Sequence, residues 1–338
     1  NILAVEVHQG SGDSPDVSMD LELGVISGDT ILDPGMNRIG VAAYGDTLAA
    51  TDPIAATTID IWYDSGLETD ITANIASDTV WTKSASPYRI RNNVTVDAGA
   101  TLTIEPGVTV FFDRDVSLTV RGQLSAVGSE DSPIWFTRRP GESSWNGLQF
   151  RNSTADNRIQ HAILEYAHTN DGMIGLQNSR LTIEDSQFDH ADRRRIRSID
   201  STLLVRNSVF ENIFDPDEAP STDNLSEHIW GRGIPAGGEW IVEGNTFGTI
   251  TGHNDGIDFD SARGVGRYAQ IRNNLFLGGG DDALDMTGDV YIVGNVFQNY
   301  IKDVFNVDPG QSNTISSSSG DFWVIGNVFD NIQHAALV

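Results

Sequence analysis

Cysteine is absent from the 338 residues, which removes disulfides, thiolate nucleophiles and zinc-thiolate sites in one step. Basic residues are scarce: 21 Lys and Arg stand against 48 Asp and Glu, a formal charge of −27. Such a field repels nucleic-acid phosphates and anionic membrane surfaces, so neither is an expected partner. No apolar run approaches the roughly 18 residues of a membrane-spanning helix. No stretch combines a basic start, an apolar centre and a small-residue cleavage site. Membrane insertion is therefore not expected. The chain opens inside a strand-like run, Ile2 to Val7, without an initiator methionine, and the expectation is a fragment or processed product. A large, acidic, cysteine-free chain suits an extracellular or cell-surface protein.

Helical periodicity is also missing. What is present is 34 glycines, with Asn, Asp, Ser and Thr every few residues, the composition of many short strands joined by tight turns. A length of 338 residues exceeds the about 100 to 200 of a single domain and asks for two units or one repeat array. A six-residue pattern decides between them: aliphatic, any residue, Asn/Asp/Gly, Ser or Asn, any residue, Phe. It occurs at Ile183 to Phe188, Val205 to Phe210, Val242 to Phe247, Ile271 to Phe276, Ile292 to Phe297 and Val324 to Phe329. The phenylalanines are 22, 37, 29, 21 and 32 residues apart, so the shortest unit is one coil of a parallel β-helix and longer ones carry loop insertions. Leucine-rich repeats share the period but need a helical half that this sequence lacks. The Phe should stack inward, and the Ser or Asn two places before it should form a polar ladder at a corner between strands.

Ahead of the repeat, Tyr88 to Phe111, Leu118 to Gly128, Ile134 to Thr137 and Trp145 to Phe150 alternate as strands broken by Gly and Pro turns. The stretch from Tyr88 to Phe150 resembles the opening coils of right-handed parallel β-helix domains in large secreted bacterial proteins. Asn1 to Gln9 and Asp20 to Leu23 resemble the closing strands of a jelly-roll module of modular surface proteins, some with spore-coat-protein-H-like kinase domains. Asn37 to Ala43 and Ile59 to Asp64 resemble the β linker that follows such modules. The resemblance implies an all-β chain: jelly-roll strands over 1–24, a β linker module over 25–76 and a right-handed parallel β-helix over 77–338.

Chemistry concentrates between His253 and Asp308. Aligning Asn254 to Asp260, Asp281 to Thr287 and Lys302 to Asp308 turns Ile257 and Phe259, Leu284 and Met286, and Phe305 and Val307 inward. Alternation then places three ladders outside: Asp255–Asp282–Asp303, Asp258–Asp285–Asn306 and Asp260–Thr287–Asp308, with Asp281 and Asp289 nearby. Carboxylates stacked about 5 Å apart raise one another's pKa unless a cation neutralises them. Hard oxygen ligands suit Ca²⁺, giving Asp255, Asp258, Asp260, Asp282, Asp285, Asp303 and Asp308 as candidate ligands. Ordinary solvated turn residues are the competing reading.

Asn254 to Asp258, followed one coil later by Gly280 to Asp282, resembles the Asn-Xaa-Asp and Gly-Asp-Asp elements of polygalacturonase-type glycoside hydrolases. The resemblance implies Asp255, Asp281 and Asp282 as acid and base. That family's Gly-His-Gly and Arg-Ile-Lys do not follow; Tyr300 to Asp303 and Gln333-His334 stand there instead. Other candidates are His253 beside Asp255 and the basic run Arg193 to Arg195 with Arg197, read either as a lyase-type base or as a solvated loop. The insertion from Phe214 to Gly238 carries His228 and Trp230, whose indole is suited to stack on a sugar. Trp230 and His253 are the candidate carbohydrate-binding residues. The expectation is a Ca²⁺-stabilised structural or adhesive module that binds a cell-surface or matrix polysaccharide or associates with itself. A polysaccharide-degrading enzyme is the alternative.

Overall fold

The computed structural model describes residues 4–5, 21–22, 32–43, 55–191, 193–213, 226–250, 254–262, 266–279, 282–300, 315–317 and 320–332. They fall into two compact units, 1–65 and 66–338. In the first, Ala4–Val5 pairs antiparallel with Leu21–Glu22, and Gly35–Ala43 pairs antiparallel with Ala55–Tyr63. Arg38 and Asp60 face each other across that hairpin at 2.8 Å.

The second unit is built from three parallel sheets of eleven, nine and ten described strands. Each turn of chain gives one strand to each sheet. Gln187–Asp189, Ile196–Ile199 and Thr202–Arg206, for example, enter the first, second and third sheets in turn. Every strand pairs with its counterpart one turn before and one turn after, the connectivity of a β-solenoid. The stack already includes Thr69–Ile71, which pairs with Tyr88–Ile90, and so begins ahead of the expected start at 77. That first rung is short and polar, and its alternation spans too few residues to read. Among the described residues the only helical element is a 3₁₀ turn at Lys83–Ala85, and no helix is long and apolar enough to cross a membrane.

Alternation explains the core. In the third sheet Leu181, Ile183, Leu203, Val205, Trp240, Val242, Ala269 and Ile271 point inward and are buried, while Thr182, Glu184, Arg206 and Arg272 point outward. The first sheet supplies the phenylalanine stack: Phe188, Phe210, Phe247, Phe276, Phe297 and Phe329 follow at centroid separations of 4.5, 4.7, 4.7, 4.9 and 5.3 Å. The first five are buried. Phe329, on the last described rung, is partly covered.

The corner ladder is equally regular. Asn245, Asn274 and Asn295 are buried, and each donates its side-chain amide to the next Asn Oδ1, at 3.0, 2.9 and 3.0 Å, ending on Asn327. The same Oδ1 atoms accept the backbone N–H of the residue one coil earlier, at 2.9 Å from Ser208, 2.9 Å from Asn245, 2.9 Å from Asn274 and 2.8 Å from Asn295. Each amide thus satisfies two buried corners at once, the reason this position admits little else.

Candidate functional site

The outward face of the second sheet carries two parallel columns. The first runs Gln149, Gly175, Arg197, Trp230, Asp258, Asp285; the second runs Arg151, Gln177, Ile199, Arg232, Asp260. The first passes from cationic Arg197 through aromatic Trp230 to acidic Asp258 and Asp285, and the second ends on Arg232 followed by Asp260. The strand Ile229–Arg232 lies within the supposed insertion from Phe214 to Gly238, yet it is a regular rung with Ile229 buried and Trp230 outward. Its other inward position is Gly231, because the Phe259 ring of the next coil fills the space a side chain would need.

The basic run is not a solvated loop. Arg194 is buried and ion-paired with buried Glu227 at 2.9 Å, and donates through Nε and Nη2 to its two oxygens. Arg195 is fully buried at the corner and donates to the carbonyls of Ala191 (2.8 Å), Glu211 (3.2 Å) and Asn212 (3.2 Å). The Glu227 carboxylate holds Arg194 and backbone carbonyls at the corner hold Arg195, which counting charges cannot reveal. Arg194 and Arg197 lie 5.2 and 5.3 Å from the Trp230 ring centroid, a cation–π arrangement that holds the indole in place. Asp171 receives Arg151 at 3.0 Å and Arg197 at 3.2 Å. Burial, followed by the neighbouring Arg194, Arg151 and Arg232, lowers the Arg197 pKa against the opposing pull of Asp171.

One rung beyond Trp230 the electrostatics reverse. Asp258 is pushed up to about 8, first by burial and then by Glu227, Asp285 and Asp260, with Arg194 opposing. Asp285, opposite it in register, is also raised, by burial and then Asp260. Asp258 therefore keeps its proton at neutral pH. Asp260 is exposed, and a register shift follows Phe259, so the regular ladder does not extend beyond it.

Asp255 and Asp282 have different surroundings. Asp255 Oδ1 accepts the Asp282 backbone N–H at 3.2 Å, while Asp282 is itself buried and its carbonyl accepts the Gly256 N–H at 2.9 Å. Buried Tyr300 lies on Gly279, and its hydroxyl is raised above its ordinary pKa by burial and then by Asp255 and Asp282. Asp255 and Asp282, two of the carboxylates named by the glycosidase resemblance, thus meet at a turn, whereas Asp258 and Asp285 lie on the sheet face.

The next strand in register after Leu284–Gly288 is Ile315–Ser317, which sets Ser316 opposite Asp285 where the sequence alignment had Asn306. The register partner lies ten residues further along the sequence than the aligned Asn306, which spacing alone does not disclose. His253, Asp281, Asp303 and Asp308 lie outside the described residues. Among the described residues no group of three or more His, Asp or Glu is arranged to hold a metal ion.

Sequence reasoning named His228 only as a residue of the insertion and missed its burial, Glu227 and the burial of Arg194 and Arg195. His228 is fully buried, packed on Phe210 and Phe247, and donates Nε2–H to the Gly248 carbonyl at 2.9 Å, while Nδ1 has no partner among the described residues. Burial, then Arg195, pushes it down to about 3.

No family model and no solved structure matches the chain. Part of it is similar to the protein bark beetle of Drosophila melanogaster, with 34% identity over 109 residues. That match covers 31% of this chain and 3% of the relative, so the chain spans a small fraction of that protein's length.

Proposed function

We propose that this chain is an adhesive module of an extracellular surface protein, a right-handed β-solenoid that holds an acidic polysaccharide along the outward face of its second sheet. Right-handedness follows from the rule for crossovers between parallel strands, obeyed in about 98% of cases. The carrying observation is the crowding of Arg151, Arg194, Arg197 and Arg232 around one face of a chain with net charge −27. Asp171 serves two of these guanidiniums and Glu227 a third. The basic end suits carboxylates or sulfates of an extended ligand, Trp230 offers aromatic surface, and Asp258 and Asp285 accept or donate hydrogen bonds to sugar hydroxyls. Rungs about 4.8 Å apart present these groups in a line, as a polymer requires.

The test is affinity electrophoresis or calorimetry with polygalacturonate, alginate and neutral dextran. Binding to the acidic polymers alone, weakened at least about tenfold by Arg197→Gln and by Trp230→Ala, is the expected outcome. Equal retention by dextran, or indifference to Arg197→Gln, would overturn it.

One observation favours a second reading. Two neighbouring carboxyls with raised proton affinity, Asp258 and Asp285, are also what a glycoside hydrolase uses for proton transfer. Release of reducing ends from any of these polymers, abolished by Asp258→Asn, would establish it in place of simple adhesion.

A further inference from the structure

A separate open groove of about 580 Å³ lies at the corner beyond the first sheet. It is lined by Ser143, Ser144, Tyr166, His190 and Asn212, among others. Ala167, paired with Trp145, and Ala191 follow Tyr166 and His190 and put small side chains in the lining. The volume falls within the range of sites for small ligands.

The residue directly after four of the first-sheet strands has left-handed backbone, a conformation suited to Asn or Gly. Asn299 (φ 57°) and Asn331 (φ 56°) hold that position in later coils. In the groove it is held instead by Tyr166 (φ 60°) and His190 (φ 44°). Histidine is tolerated in that conformation, as His161 (φ 45°) also shows, so Tyr166 is the unusual residue, its ring costing on the order of 1 kcal/mol.

The two rings are stacked at 4.6 Å, with the Arg138 guanidinium 3.8 Å from the Tyr166 centroid. Asp189 takes the His190 backbone N–H at 2.6 Å and the ring Nδ1 at 3.1 Å, and Glu165 stands 3.8 Å from Nδ1. The imidazole is thereby oriented with Nδ1 occupied and Nε2 free of protein partners among the described residues. Arg138, Glu165 and Asp189 all act on the two rings, unlike the arginine-rich face of the second sheet. Facing the groove are His190 Nε2, the hydroxyls of Ser143 and Ser144, the Asn212 amide nitrogen, whose Oδ1 accepts the Thr249 N–H at 2.8 Å, and His168.

We infer that this groove is a second binding site, for a short neutral saccharide, in which His190 and Tyr166 are the contact residues. It stands independently of the acidic-polymer reading, since it lies on another sheet and shares no residue with it. The experiment follows the histidine ring and the Ala191 and Asn212 amide resonances by NMR while cellobiose or lactose is added to the full chain. Saturable shifts at these positions with at least one sugar are expected, reduced at least about tenfold in affinity in His190→Asn.

Because Asn suits that corner, His190→Asn and Tyr166→Asn should melt no lower than the wild type, which separates binding from packing. Polygalacturonate binding should be unchanged in both variants. The inference is overturned by an absence of saturable shifts with both sugars, by undiminished binding in His190→Asn, or by a melting temperature several degrees lower in both Asn variants. The last result would mean that the rings are kept for packing.

Discussion

Replacing Asp258 with Asn removes a carboxyl that folding forces to keep its proton near neutrality, and the effect is readable as the pH dependence of stability. In the folded chain Asp258 titrates at about 8 against the ordinary 3.8. Between these values the native state holds a proton that the unfolded state has released. Stability therefore falls as pH rises, by up to about 1.4 kcal/mol per unit. Buried His228 acts with the opposite sign, because its folded value is about 3 against the ordinary 6.5. Between pH 3 and 6.5 the unfolded chain holds the extra proton, so stability rises with pH over that window.

The two slopes offset each other between about pH 4 and 6.5, and above that only the Asp258 slope persists, removing about 2 kcal/mol between pH 6.5 and 8. Asp285, raised by burial and Asp260, contributes with the same sign as Asp258. Urea midpoints followed by tryptophan fluorescence from pH 5 to 9 measure this directly. The wild type should lose stability across the upper part of the range, and Asp258→Asn should be close to flat there. A wild type that is flat between pH 6.5 and 8, or a variant with the same slope, would refute the assignment.

Calcium offers an independent neutralisation of the same carboxyls: at pH 8, millimolar Ca²⁺ is expected to raise the melting temperature and chelator to lower it, about 2.7 kcal/mol corresponding to a hundredfold excess over Kd. Identical melting in both conditions would count against a cation at Asp258 and Asp285. Phe247→Ala, in the middle of the aromatic stack, should cost about 3 to 5 kcal/mol by denaturant titration, since coils on both sides hold the cavity open. Asn274→Ala should cost about 2 to 4 kcal/mol, because it leaves the Asn245 N–H and the Val242 carbonyl unpaired in the interior. Asn274→Asp should be no milder, as it places a charge in the ladder.

The repeat was legible because a solenoid makes every coil solve the same problem. Equivalent positions face the same neighbours, so Phe at 188, 210, 247, 276 and 297 and Asn at 245, 274 and 295 recur, and both the inward stack and the corner ladder could be read before any coordinates. Alternation likewise placed Ile257, Phe259, Leu284 and Met286 inside and Asp258 and Asp285 outside. Tertiary structure decided matters that depend on which coils become neighbours across loops of unequal length. It brought Arg197, Trp230 and Asp258 into one column from positions 33 and 28 residues apart in sequence, and it set Ser316 where Asn306 was expected. It also buried Arg194 and Arg195, because the carboxylate and the carbonyls that draw them in belong to other turns of the chain. Local pattern determines which way a side chain points; only stacking determines what it meets there.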